Sequence, residues 1–390
     1  MGALRWSGRP IFLKIGAGLW NEEVFETLIA PGAAQRRFSF ILALTLASGS
    51  APARAAEQTP APQAQPLKQF KDWTVGCDNL RNCVALGLSS EADMSGAYVK
   101  ISRTGAAEAR PSVSVTLIAD LKSKAPGLRL QFDGAASGLP DRPLPLRQDG
   151  DFVSVALPPE QVDAFLAALR TAKRLTIRLI DGKTAADPAF VSLAGSVAAL
   201  LYMDAQQNRA GTVSALIDKG AAPSSTDTPE EPSIAAVKMT MDRTEPKRPA
   251  GVASATDESC KTYDPIVIRL SVTETLWGIC DQAAAYNFAY RFWIAGPGRP
   301  KGARAVAFAT PGHTAANPDS SVLVNPSLSE NGLILSSSNK GRGIGDCGEA
   351  AGWAYDGAKF RLVSLQQMDE CRGVAPGDWP TLYKARVEPK

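Results

Sequence analysis

At 390 residues the chain is longer than one hydrophobic core usually serves, so length alone predicts two domains. Apolar residues make up 45% of it, which excludes a mostly disordered polypeptide. The formal net charge of +3 comes entirely from residues 1–55, where six Arg or Lys face three Glu; the neutral remainder gives no electrostatic reason to expect nucleic acid as a partner.

Arg36-Arg37, the apolar run from Phe38 to Ala47 and the small-residue site Ala53-Arg54-Ala55 form the parts of a secretory signal peptide over 36–55, cut after Ala55 or Ala56. The run is too short for a membrane span, so the cleaved protein is not expected to be integral to a membrane. Residues 1–35, with Trp6, Trp20 and Glu22-Glu23, do not resemble a charged leader; they read as an upstream start assignment, with an internal anchor or a real N-terminal extension as the alternatives. Residues 56–66, rich in Ala, Pro and Gln, read as a flexible lead-in.

Order is expected to begin at Phe70-Lys71-Asp72-Trp73-Thr74-Val75-Gly76-Cys77, where alternation puts Trp73 and Val75 on one face of a strand. Further strands are expected at 98–102, 112–119, 128–132, 152–157 and 173–180, between Gly, Pro and Asp turns. Val162, Phe165, Leu166 and Leu169 recur at helical spacing in 161–172, behind Pro158-Pro159. A second helical pattern runs from Ser192 to Lys219, interrupted at Asn208–Thr212 and ended by Gly220. This closes an N-terminal β-rich domain over 67–220. The Pro-, Ser-, Thr- and acid-rich tract 221–259 reads as a linker or long surface crossing, with 234–239 as a short docking strand. Short strands then resume at 266–270, 275–280, 286–294, 303–308, 322–325 and 332–337, in an antiparallel β domain over 260–390. The predicted class is mainly β with a few helices, an α+β build of two β-rich domains with antiparallel sheets.

Six cysteines in an exported chain predict disulfides. Other pairings are formally open, and chain order favours Cys77–Cys83, Cys260–Cys280 and Cys347–Cys371. A structural zinc site competes poorly, because no Cys-x2-Cys pair or nearby histidine accompanies them.

The densest motif is Gly341-Arg342-Gly343-Ile344-Gly345-Asp346-Cys347-Gly348, followed by Trp353-Ala354-Tyr355-Asp356-Gly357 and Glu370-Cys371-Arg372-Gly373. With Phe70-x-x-Trp73-x-Val75-x-Cys77-Asp78-Asn79, it resembles the DUF1176 family of uncharacterised bacterial periplasmic proteins over most of 67–388. The opening Trp-x-Val-x-Cys and the segment Val191–Leu200 are also similar to the invasion-associated locus B family. The resemblance implies an exported protein of a Gram-negative bacterium with a two-part β-rich body, located in the periplasm. It implies no catalytic residue.

The residues themselves argue against most chemistry. His313 is the single imidazole, no Gly-x-Ser-x-Gly elbow is present, and clustered-histidine metal hydrolysis is excluded by count. Gly341, Gly343, Gly345 and Gly348 lack the Gly-Lys-Ser/Thr ending of a phosphate loop, so no cofactor and no metal are expected. Asp346, Glu349 and Asp356 are the candidate acids for a paired-carboxylate hydrolase; the competing role for Asp346 and Asp356 is turn organisation. Arg342, Trp353, Tyr355, Arg372 and Trp379 are the candidate binding residues if they face outward, and core if they do not. The leading reading is a non-enzymatic binding or envelope-associated structural protein, with another envelope protein or a cell-wall glycan as partner. The alternatives are a cell-wall or polysaccharide hydrolase, and an inhibitor or chaperone of another exported protein.

Overall fold

Strands separated by short turns build the first sheet, whose segments 73–77 and 83–88 are buried on both faces. In the computed structural model, β1 (Lys68–Phe70), β2 (Trp73–Cys77), β3 (Cys83–Leu88), β4 (Tyr98–Arg103) and β5 (Ser112–Ile118) pair in succession as an antiparallel meander. After β6 (Gly127–Phe132) and β7 (Leu144–Pro145), the strands β8 (Arg147–Asp149) and β9 (Phe152–Ala156) rejoin it in the order β1-β2-β3-β4-β5-β9-β8. Helix α1 (Pro159–Leu169) starts on a proline and buries Val162, Phe165, Leu166 and Leu169. Strand β10 (Arg174–Asp181) pairs with β6, β11 (Thr184–Ala185) and β12 (Ala189–Ser192) in a second sheet. Helix α2 (Ser196–Gln206) then crosses back towards β1 and β2. Gly195, at φ 98°, starts α2; a Cβ there would lie 1.8 Å from the Phe70 carbonyl oxygen, so this crossing requires glycine.

The structure describes residues 64–390 apart from 91–94, 124–125, 135–138, 141, 183, 186, 226, 245, 297–301 and 312–317. The signal peptide, the segment 1–35, most of the lead-in and His313 lie outside the described residues.

The tract 221–259 carries two strands, β13 (Ser233–Ala236) and β14 (Thr240–Met241). β14 edges an antiparallel sheet with β15 (Ile266–Arg269), β16 (Thr275–Ala283), β17 (Phe288–Ala295) and β18 (Arg304–Ala305), and β19 (Val322–Val324) also pairs with β17. A final meander joins β20 (Ser327–Leu328), β21 (Leu335–Lys340), β22 (Gly348–Tyr355), β23 (Phe360–Met368) and β24 (Thr381–Lys384). Strand β25 (Arg386–Pro389) runs parallel to β13, so the crossing tract and the chain's closing strand share one ladder.

One core holds Trp73, Val75, Val99, Val115, Phe132, Phe165, Ile177 and Met203 between the first two sheets and the helices. A second gathers Phe292, Phe308, Trp353, Tyr355, Phe360 and Leu382. A third joins the two halves: Leu86, Leu88 and Tyr98 pack with Cys347, Met368, Val374 and Trp379. Polar contacts tighten the same junction. Arg372 donates to Asp72 at 2.9 Å, Tyr98 donates to Asp378 at 2.6 Å, and Asn79 exchanges hydrogen bonds with the backbone of Lys384. Residues 59–390 form one compact unit.

The disulfides are Cys77–Cys83, Cys260–Cys280 and Cys347–Cys371, as chain order predicted, and the class is mainly β with antiparallel sheets. The second helix stops early. Asn208 takes φ 53°, Arg209 turns inward, and 207–220 become turns rather than the expected second helical run. The N–H groups of Leu216 and Ile217 bond to Asp204 instead of to helical carbonyls.

Candidate functional site

The C-terminal motif is built inward. Asp346 is inaccessible; it accepts from Arg342 Nε at 2.7 Å and from the Gly373 N–H at 2.7 Å. Burial pushes its carboxyl upward, but the Arg342 guanidinium and the Gly373 N–H outweigh that and hold it below its usual range. Gly348, at φ 137°, lets β21 and β22 close beside the disulfide, where a Cβ would lie 2.0 Å from the Asn339 carbonyl oxygen. The buried Arg372 bonds to Asp72, to the Ser89 carbonyl at 2.9 Å and to Glu370 at 3.3 Å.

Trp353, Tyr355 and Trp379 are core residues, at 3%, 1% and 4% exposure. Their polar atoms are satisfied internally: Trp353 donates to the Ala309 carbonyl, Trp379 to the Val374 carbonyl, and Tyr355 to Glu274. Of the five candidate binding residues only Arg342 keeps substantial exposure, at 38% of its side chain, and it is committed to Asp346. The five therefore do not line a common surface. The candidate acids are also engaged. Asp356 accepts from the N–H groups of Ala358 and Lys359 and from Arg361, each at 2.8 Å, which is the turn-organising role. Glu349 sits within β22 opposite Gln367. The Asp346 carboxylate lies near Cys347 and Cys371, but both sulfurs are spent in a disulfide and offer no thiolate to a metal.

A different place in the fold is open. A groove of about 760 Å³ lies between the loop 107–111, helix α1 and the turns 213–224. Val162, Leu166, Ala215 and Leu216 give it an apolar floor, and Val213 stands 61% exposed beside it. Ser214 and Ser224 line it with their hydroxyls hydrogen-bonded to one another at 2.6 Å.

Both loop walls are tied to one buried ionic network. Arg103 and Asp204 are fully inaccessible and pair at 2.6 Å. Arg103 also donates to Gln207 Oε1 and to the Ser214 carbonyl, and Asp204 also accepts from the N–H groups of Leu216 and Ile217. Arg209, 1% exposed, donates to the carbonyls of Ala106 and Ala109 in the opposite wall. Gln207 adds bonds to the carbonyls of Arg81, Arg103 and Thr104. Burial pushes both guanidinium groups down; Asp204 opposes this at Arg103, and Asp204 with Glu108 opposes it at Arg209. Isolated buried charges of this kind are costly, and here their hydrogen bonds are directed at loop backbone. The result is a groove whose walls are fixed before any ligand arrives.

Little in the local sequence marks Arg103, Asp204, Gln207 and Arg209 for this role, because a polar or charged residue in a half-apolar pattern reads as a solvated position. One signal was present: Asp204 follows Leu200 and Met203 on the apolar stripe of α2, where a carboxylate has no place unless it is paired.

Fold and site together define a disulfide-stapled, mainly β protein with interlocked halves and a preorganised groove. No helix among the described residues is long and apolar enough to cross a membrane. The family described as "Protein of unknown function (DUF1176)" matches residues 67–386, and the chain belongs to that family. It is similar to the Uncharacterized protein YpfG of Escherichia coli (strain K12), 30% identical over 345 residues, which cover 82% of this chain and 93% of that protein. No solved structure matches.

Proposed function

We propose that the protein is exported into the periplasm of a Gram-negative bacterium and acts there as a non-enzymatic binding protein, with the groove beside α1 as its ligand site. The observation that carries this reading is the groove itself: about 760 Å³ of open space with an apolar floor and a charged rim, whose two loop walls are held by the Arg103, Asp204, Gln207 and Arg209 network. Export is supported by the Arg36-Arg37, Phe38–Ala47 and Ala53–Ala55 pattern, together with three disulfides that suit an oxidising compartment. The hydrolase reading loses support because Asp346 and Asp356 are saturated by backbone and arginine donors.

The test is fractionation followed by assay. Expression from the native start is expected to yield protein in the osmotic-shock fluid with a new amino terminus at Ala56 or Glu57. Purified protein is expected to leave peptidoglycan and envelope polysaccharide uncleaved. Reducing-end release that disappears in Asp356→Asn, a variant of an exposed turn, would replace this reading with the hydrolase.

A second reading has one observation in its favour. Ile344 stands 64% exposed at the tip of the glycine loop, and Gly343 beside it lies against Tyr286, itself 37% exposed. A rigid apolar tip of this kind suits docking against another envelope protein. A stoichiometric partner that co-purifies with the parent and is lost in Ile344→Asp would support it; an equal yield from both proteins would remove its basis.

A further inference from the structure

The charges around the groove do not cancel. Asp204 is matched by Arg103. The lining sets Arg110, Arg170 and Lys219 against Glu108 and Asp163, three cations to two acids and an excess of one positive charge. None of these five side chains makes an ion pair or hydrogen bond with the described residues. The apolar floor offers nothing for a peptide backbone to bond, and the Ser214 and Ser224 hydroxyls already serve one another.

An occupant must therefore bring methylene groups to the floor and a negative charge to the rim. We propose that the groove binds an amphiphile with a single alkyl chain and a carboxylate head, a long-chain fatty acid. This rests on the binding-protein reading and specifies its ligand. The chain lies on Val162, Leu166 and Leu216, while the carboxylate accepts from Lys219, Arg110 or Arg170 at the edge. A free acid fits the size as well: drug-sized ligands occupy pockets of about 300–1,000 Å³, and this groove has about 760 Å³.

The experiment is isothermal titration of the full exported protein with octanoate, decanoate and dodecanoate, and with dodecanol and dodecyltrimethylammonium as head-group controls, all below their micelle concentrations. Affinity is expected to rise about twofold per methylene along the acids, half the effect of fully burying one CH2, because the groove is open on one side. Lys219→Glu combined with Arg170→Glu is expected to weaken dodecanoate about tenfold, the scale of reversing a partly solvated charge contact, and to leave dodecanol unchanged. Both side chains are exposed, so the fold does not depend on them. Val213→Asn, which removes apolar contact without adding charge, is expected to weaken acid and alcohol alike. Hydrogen exchange of 107–111 and 213–219 locates the binding. If dodecyltrimethylammonium binds as tightly as dodecanoate, or the charge reversals change nothing, the carboxylate assignment is overturned while the groove remains a binding site. If none of the amphiphiles slows exchange in either loop, the fatty acid is overturned and the groove loses its place in the proposed function too.

Discussion

Asp204→Asn tests the physical basis of the groove directly. In the parent, the carboxylate is inaccessible and receives Arg103 at 2.6 Å, the Leu216 N–H at 2.8 Å and the Ile217 N–H at 3.1 Å. Asparagine retains one oxygen for the backbone donors but removes the charge, leaving the Arg103 guanidinium buried without a counter-ion. Breaking a buried pair from one side costs about 3–5 kcal/mol. Adding Arg103→Met removes the stranded charge, so the double variant is expected to recover at least about 2 kcal/mol of that loss, a coupling of the size seen between residues in direct contact. Urea titration followed by tryptophan fluorescence measures both quantities, since Trp73 sits in the same half of the molecule. Hydrogen exchange at Leu216 and Ile217 separates local from global effects: both amides are expected to exchange faster in each variant. A cost below about 1 kcal/mol for Asp204→Asn, or two substitutions whose effects simply add, would refute the account of a coupled network holding the loops.

Cys347→Ser with Cys371→Ser opens a loop with a sequence separation of 24 residues, and chain entropy gives about 3–3.5 kcal/mol of lost stability by urea titration. Asp346 has a folded pKa below its unfolded value, so its stabilisation is present above the unfolded value near 3.9 and is lost as pH falls through the lower folded one; acid unfolding below about pH 4 is expected to lose part of its pH dependence in Asp346→Asn. Gly195→Ala forces a Cβ onto the Phe70 carbonyl at a positive φ and is expected to lower the thermal midpoint by several degrees, whereas Gly377→Ala, with open space around it, is expected to leave it unchanged.

Much of the fold was legible because its signals are local. Alternation marked β4, β5, β9 and β10 within a residue or two, and the short-range disulfides followed from chain order. The site was not legible for the converse reason. Arg103 meets Asp204 across 101 positions, and Arg209 meets Ala109 across 100, so no window of sequence contains both partners. The aromatic residues near the glycine loop were recognisable as a cluster, yet whether Trp353 and Tyr355 faced in or out depended on the sheet that covers β22. The same dependence on a covering layer divides the aromatic residues of 286–294: Tyr290 and Phe292 are buried, while Tyr286 stands on the turn before β17.

The reach of the contacts also orders events as the chain is made. The disulfides join cysteines only 6, 20 and 24 positions apart, so each can form as soon as its own segment is free. The bonds that seal the halves, Asp72 to Arg372 and Asn79 to Lys384, span 300 and 305 positions, and the β13 edge stays open until residues 386–389 arrive. None of the three disulfides depends on those long-range contacts for its partner to be near in sequence. A molecule in which β25 has not docked would carry correctly paired cysteines and an open β13 edge, which makes thiol titration blind to the defect and protease sensitivity of the 233–236 edge the informative check.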